Sequence, residues 1–258
     1  MSGMVDKASV AKQYATADNL ALRIAFQQRF SQNKYGFGPW LMDQYDFPPR
    51  ARVLEIGCGT GAMWQGKQAL IDSFDSLILT DFSEGMLADA QKNLADINGV
   101  VFQQADIQNL PFEADSFDFV IANMMLYHVP DKEMAVREVR RVLKKGGVFA
   151  CATYGEEGLP SYMQRLLGDR VAFRSLNKTF TLQNGADILK IAFENVEKRE
   201  YPDEFLVDDA EAVVAYLASM TGMVTGFPAE EVRTIVAEKI AAEGPMHIPK
   251  QYGTFICR

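Results

Sequence analysis

Histidine is nearly missing from this chain: two occur in 258 residues. Cysteine is scarce too. Cys58, Cys151 and Cys257 are the three present, far apart and without a CxxC pair. This excludes a zinc site of the usual Cys/His spacing and a disulfide framework, and no metal-ligand set is read. Scattered thiols fit a reducing, cytoplasmic compartment. Basic charge is also short: 26 Lys and Arg against 34 Asp and Glu leave a net charge of −8. Nucleic acid and anionic membranes demand basic patches, so neither is expected as a partner. No apolar run reaches the ~18 residues that a spanning helix needs. The opening MSGMVDKASVAKQYA holds no apolar leader segment, so no signal peptide is expected.

Apolar residues are plentiful, at 48% of the chain, enough for a sizeable core. The first fifty residues read as helical, with Leu20, Ile24 and Phe30 among the apolar positions, until Gly36, Gly38, Pro48 and Pro49 punctuate them. From Arg52 the texture becomes short apolar runs alternating with amphipathic stretches. The runs are Val53–Ile56, Leu77–Thr80, Val100–Gln103, Phe117–Ala122 and Val148–Ala152. Most have the length and composition of strands buried on both faces. Ser83 can cap a helix over Met86–Ile97, and Asp131 one over Glu133–Leu143 that ends at Lys144-Lys145-Gly146-Gly147. Repeated β-α-β spacing predicts a parallel sheet with helices on both faces. The rhythm breaks over residues 154–180, which read as an insertion over one sheet edge. A helix at Leu182–Phe193, a strand at Val196–Val207, a helical pair over 208–243 and a strand at Tyr252–Cys257 follow.

The stretch Val53-Leu54-Glu55-Ile56-Gly57-Cys58-Gly59-Thr60-Gly61 is the most informative. After a parallel strand the chain must turn sharply into a helix. Glycine accepts the positive φ such a turn requires and lets backbone N–H groups approach a ligand. In open α/β sheets that crevice lies at the carboxyl ends of the strands. A dinucleotide fits the permissive pattern Gly57, Gly59, Ala62. Two details pull away from it. Glu55 brings a carboxylate near the crevice, which repels a pyrophosphate but suits a cationic amino-acid ligand. Gly61 comes one residue early for the dinucleotide spacing. Asp81 ends the second run about 20 residues on, where an acid can accept from both ribose hydroxyls; a plain strand-end cap is the alternative. Ala105, Asp106 and Ile107 follow the third run, placed for an adenine edge and face. The fourth run returns to the crevice at Asn123.

VLEIGCGTG, Asp81 with Met86 five residues on, ADIQNLPF, SFDFVIANMMLYHV and EVRRVLKKGGVFACATYGE stand together in order and spacing. As a set, over roughly residues 50–155, they resemble the class I S-adenosylmethionine-dependent methyltransferases, most of all the small-molecule branch with the ubiquinone/menaquinone C-methyltransferases. The resemblance implies a Rossmann-like, doubly wound α/β fold whose seven-stranded sheet is parallel except for its last strand. It implies one domain: a helical cap over 1–49, a cofactor-binding core over 50–153, a substrate-cap insertion over 154–180, and the C-terminal part of the sheet over 181–258. S-adenosylmethionine is the implied cofactor. Gly57, Gly59 and Gly61 would line its methionine part, with Glu55 reaching the ammonium through water. Asp81 would hold the ribose diol, and Phe82 and Met86 would pack on adenine. Ala105, Asp106 and Ile107 would meet the adenine edge and face. Asn123 would place a carbonyl or side chain near the methionine part. Cys58 lies in the same turn and is given no chemistry.

Methyl transfer from a sulfonium is an in-line displacement, and a base is needed only where the nucleophile must lose a proton. His128 is the candidate base; a histidine hydrogen-bonded at a strand–helix junction is the plainer reading. Tyr127, Met124, Met125, Met220 and Met223 can line an acceptor pocket or fill core. Tyr14 and Arg23 sit in the helical N-terminal region, where Arg23 can pair with the methionine carboxylate or be solvated. His247 precedes the last strand and can face the pocket, with a surface role as the default. The expected acceptor is a small molecule, with O, N or C as the methylated atom, and the protein a monomer or homodimer. One rival is a protein that binds the cofactor without catalysis, as a sensor or assembly factor. Another is a nicotinamide-dependent oxidoreductase, but Tyr127 is followed four residues on by Asp131, not by the lysine of a Tyr-x-x-x-Lys pair.

Overall fold

A computed structural model describes residues 17–170, 172–173, 177–220, 224–225 and 228–258. Tyr14 and Met223 lie outside the described residues. The chain forms two compact units. One holds Phe37–Tyr154, Thr179–Glu200 and Gly253–Arg258; the other holds Met1–Gly36, Gly155–Lys178 and Tyr201–Tyr252.

The first unit is built on a seven-stranded sheet. Its strands are β1 (Arg52–Ile56), β2 (Ser76–Asp81), β3 (Val100–Gln104), β4 (Phe117–Ile121), β5 (Leu143–Tyr154), β7 (Val196–Tyr201) and β11 (Tyr252–Cys257), in the order β3-β2-β1-β4-β5-β11-β7. The pairs β1/β2, β2/β3, β1/β4 and β4/β5 are parallel. β11 runs antiparallel; beyond its end Asn195 and Arg258 exchange both backbone bonds, as an antiparallel pair does. Along β1, Leu54 and Ile56 enter the apolar core on one face and Val53 the core on the other. That is why the run reads apolar at every position but one: both faces are covered. Strand order reverses between β1 and β4, the place where such sheets open a crevice.

The second unit holds the helices Ala17–Phe30, Leu159–Leu167, Ala210–Ala218 and Ala229–Glu243, and the antiparallel pairs β8 (Glu204–Val207) with β10 (Met246–Pro249) and β6 (Ala172–Phe173) with β9 (Val224–Thr225). Its core joins Phe26, Phe30, Met163, Val213, Leu217, Val232 and Ile248.

Four expectations change. The strand expected over Val196–Val207 is two strands, split at Pro202-Asp203, because proline has no N–H for a ladder. The second half pairs in a different sheet, so residues 202–251 do not continue the large one. The helix expected over Leu182–Phe193 is only Gly185–Leu189. Asn184 accepts from the Thr181 N–H in a tight turn before it. Lys144–Gly147 do not end a helix. The helix Lys132–Val142 stops earlier, and Lys144 is drawn into β5, with its ammonium 2.8 Å from both oxygens of Asp118 on β4. Finally, residues 37–49 belong with the sheet and only those up to Gly36 with the helical unit, so the N-terminal cap region is not one piece.

Candidate functional site

The turn after β1 is made of backbone. Gly57, Gly59 and Gly61 hold φ of 71°, 56° and 71°, the left-handed region that glycine enters without strain. A Cβ on Gly57 would lie 2.8 Å from the Met125 side chain, and one on Gly61 2.8 Å from Leu94. A Cβ on Gly59 would meet nothing within 4 Å. The outer two glycines are thus packed from behind, and the middle one faces open space. The Cys58 N–H bonds to the Thr80 carbonyl at 2.9 Å, stitching the turn to β2.

Asp81 ends β2 and closes on that turn. Its Oδ2 accepts the Gly59 N–H at 2.9 Å and its Oδ1 the Ser83 N–H at 2.8 Å. Ser83 then caps the helix Glu84–Asn93 through the Met86 N–H. One carboxylate therefore fixes both the glycine turn and the helix start, and keeps lone pairs for hydroxyl donors. Beside it the Phe82 ring is 51% exposed, which is unusual for an aromatic side chain at the end of a buried strand. Met86 is half-buried. Asp106 accepts the Gln108 N–H at 3.0 Å in its own turn. Ala105 and Ile107 are buried, and Ile107 joins the core rather than offering an open face.

Glu55 sits beneath the turn, not in it. It is 3% exposed, and its Oε2 accepts the Trp64 indole N–H at 2.6 Å. Burial pushes its pKa up to about 7; the Trp64 bond opposes this, and the Asp81 charge adds to it. Burial also raises the Cys58 thiol well above its usual range, so it is no ready nucleophile.

Asn123 follows β4. Its Oδ1 accepts the Tyr45 hydroxyl at 2.8 Å and the Ala152 N–H at 3.2 Å. His128 closes the short turn Leu126–His128, with its ring 4.4 Å from that of Tyr127. Burial, and then the Lys132 charge, push its pKa down to about 4. The imidazole is neutral at pH 7 and holds a proton weakly, which is poor for abstracting one from a hydroxyl or amine. Tyr127 is buried against Tyr154 and Met124 packs on the same core, while Met220 belongs to the core of the other unit. His247 is exposed, with Nδ1 3.2 Å from Glu204. Arg23 is half-buried on the helix Ala17–Phe30.

The structure therefore brings Gly57, Gly59, Gly61, Asp81, Phe82 and Asn123 to the ends of three adjacent strands. It puts Glu55 and Ile107 behind that surface. Among the described residues no group of three or more His, Cys, Asp or Glu could hold a metal, and no helix is long and apolar enough to cross a membrane. Sequence reading missed Trp64 and Tyr45. Nothing in the local pattern marks them, because each acts on a residue that only the fold brings near. A carboxylate at the end of β2, a glycine turn with open space over Gly59 and an exposed aromatic residue suit an adenosyl ligand with an amino-acid end.

Residues 54–151 match the family model "Methyltransferase domain". A demethylmenaquinone methyltransferase of Staphylococcus aureus is 30% identical over 60% of this chain and 61% of its own length. The chain thus spans about three fifths of the length of the curated relatives it matches. Two solved structures share the fold. The YcgJ protein of Bacillus subtilis has 20% identity and a TM-score of 0.59, covering 85% of this chain and 96% of its own. An S-adenosylmethionine-dependent methyltransferase of Mesorhizobium loti has 20% identity and a TM-score of 0.53, covering 86% and 98%.

Proposed function

We propose, from the premise that this chain carries a class I S-adenosylmethionine-dependent methyltransferase domain, that it transfers a methyl group to a small-molecule acceptor. The single observation that carries the reading is the bond from the Gly59 N–H to Asp81. It makes one preorganised surface of the glycine turn and the strand-end acid. When bound, the cofactor supplies an activated methyl group on a sulfonium, and the protein supplies orientation. Gly59 lets the chain approach the ligand closely, and Gly57 and Gly61 hold the turn. Asp81 accepts from the ribose hydroxyls. Phe82 and Met86 lie beside it to cover the base, with the Asp106 carboxylate toward its edge. Asn123 faces the amino-acid end. Glu55 supports the turn through Trp64 rather than meeting the ammonium directly.

His128 is not assigned as a base, because its environment weakens it. The reading therefore favours an acceptor that reaches its nucleophilic anion without help from His128, such as an enolate or an acidic phenolate. The Staphylococcus aureus relative makes a demethylmenaquinone, reduced to its quinol, the first acceptor to try. The test is formation of S-adenosylhomocysteine when the protein is incubated with S-adenosylmethionine and a panel of quinol, phenol and amine acceptors. Acceptor-dependent product supports the reading. Cofactor binding with no product across the panel favours a non-catalytic binder.

A further inference from the structure

One side chain at the end of β4 is held from both sides of its amide. The Tyr45 hydroxyl and the Ala152 N–H both donate to Asn123 Oδ1, at 2.8 and 3.2 Å. Its two acceptor positions are then used. Turning the amide over would lose the Ala152 bond and set the NH2 against a backbone N–H that can only donate. The nitrogen therefore points the other way, 3.6 Å from Met63 Sδ. Met63 lies on the turn Ala62–Trp64 that continues directly from Gly61. A thioether is a weak acceptor, so this contact leaves most of the donor strength of the NH2 group unspent.

Tyr45 is held in place by the core, and its hydroxyl also meets Thr254. It is 7% exposed, with its ring packed between Phe47 and Phe119 at 5.9 and 5.6 Å. The next residue after Asn123 is also constrained. Met124 has φ of 54°, rare for a residue with a side chain, and its N–H is pinned to the Ala152 carbonyl at 2.8 Å. A hydroxyl 78 residues away in sequence and a neighbouring strand thus fix both the side chain and the backbone at this point.

We propose that Tyr45 is a positioning residue: it holds Asn123 so that an amide N–H, not a carbonyl, faces the ligand over the glycine turn, where it donates to the carboxylate of S-adenosylmethionine. The carboxylate is that ligand's one anionic acceptor, and a bond to it is charge-assisted. The inference rests on the methyltransferase reading and adds to it the residue that orients the amino-acid end.

The test compares S-adenosylhomocysteine with 5′-methylthioadenosine, which keeps the adenosyl part and lacks the carboxylate. Y45F keeps the ring and removes only the hydroxyl. It should weaken S-adenosylhomocysteine about tenfold and leave 5′-methylthioadenosine unchanged. N123D, which keeps both accepted bonds but puts a negative charge where the donor was, should show the same split more strongly. Its ratio of affinities decides the matter should Y45F fail to fold. Equal losses for both ligands, or no loss for S-adenosylhomocysteine, would overturn the positioning role alone. A wild-type protein that binds neither ligand would overturn the methyltransferase reading, and this inference with it.

Discussion

Among the described residues, Glu55 in one unit and the side chain of Asp203 in the other are enclosed carboxylates held in opposite ways. Glu55, under the glycine turn, has a neutral partner, the Trp64 indole. Asp203, in the helical unit, has a charged one. Its side chain is 0% exposed, and the Lys250 ammonium lies 2.7 Å from its Oδ2. The Ser31 hydroxyl and the Asn33 and Glu204 N–H groups donate to it as well. The ammonium itself lies 5.6, 5.1 and 5.4 Å from the rings of Tyr201, Phe205 and Tyr252. Burial pushes both acids up. For Asp203 the bonds from Lys250 and Ser31 outweigh it, and the net shift is down. For Glu55 nothing supplies a counter-charge, and the net shift is up. Burial alone does not set the charge state of a buried acid; the charge of its partner does.

That contrast can be broken most forcefully at Lys250. Lys250→Met keeps the stem length but leaves Asp203 buried with no cation. A loss of about 3–5 kcal/mol is expected in chemical denaturation. A loss below about 1 kcal/mol would mean the ion pair is not what holds Ser31 and Asp203 together. In the wild type, the folded pKa of Asp203 lies below its ordinary value. Its contribution is therefore present above the unfolded carboxylate pKa and is lost as pH falls through the folded one.

Glu55 should respond to pH with the opposite sign. Its folded pKa of about 7 lies above the ordinary 4.5. The folded state then binds more protons than the unfolded one between these values, so stability falls as pH rises from about 4.5 to 7. Glu55→Gln keeps an acceptor for Trp64 and removes the charge. It should match the wild type near pH 4 and exceed it by up to about 3 kcal/mol at pH 8. Parallel curves for the two proteins would refute the buried neutral acid.

Smaller effects sharpen the site itself. Asp81→Ala removes a charged acceptor and should weaken S-adenosylmethionine binding by about 1–3 kcal/mol, read by calorimetry. His128→Ala should leave cofactor affinity within about 0.5 kcal/mol of wild type. In the wild type, turnover should show no inflection from His128 between pH 6 and 8, because its pKa is held near 4. An inflection in that range that vanishes in the variant would restore the general-base role.

The glycine turn, Asp81 and the central strands are legible in the sequence for a physical reason. Strands covered on both faces must be apolar at nearly every position, and a run of turn residues at positive φ is reached without strain only by glycine. Asn123 is legible only as a position: which end of its amide faces the turn depends on Tyr45, which arrives from another part of the chain. Trp64 is hidden in the same way, since only the folded turn brings its indole to Glu55. The unit formed around Lys250 and Asp203 is the least legible. Those two residues lie 47 apart in sequence, and the stretches around them show no periodicity that links them. Ile107 shows how little a position says about its surroundings. Its place beside Asp106 suggests a ligand contact, but a β-branched apolar residue there is drawn into the core instead.

The measurement that bears most directly on the central claim is calorimetric titration of the protein with S-adenosylmethionine, S-adenosylhomocysteine and NAD side by side. The account predicts micromolar binding of both adenosyl ligands and none of NAD. Binding of NAD alone, or of none of the three, would contradict it.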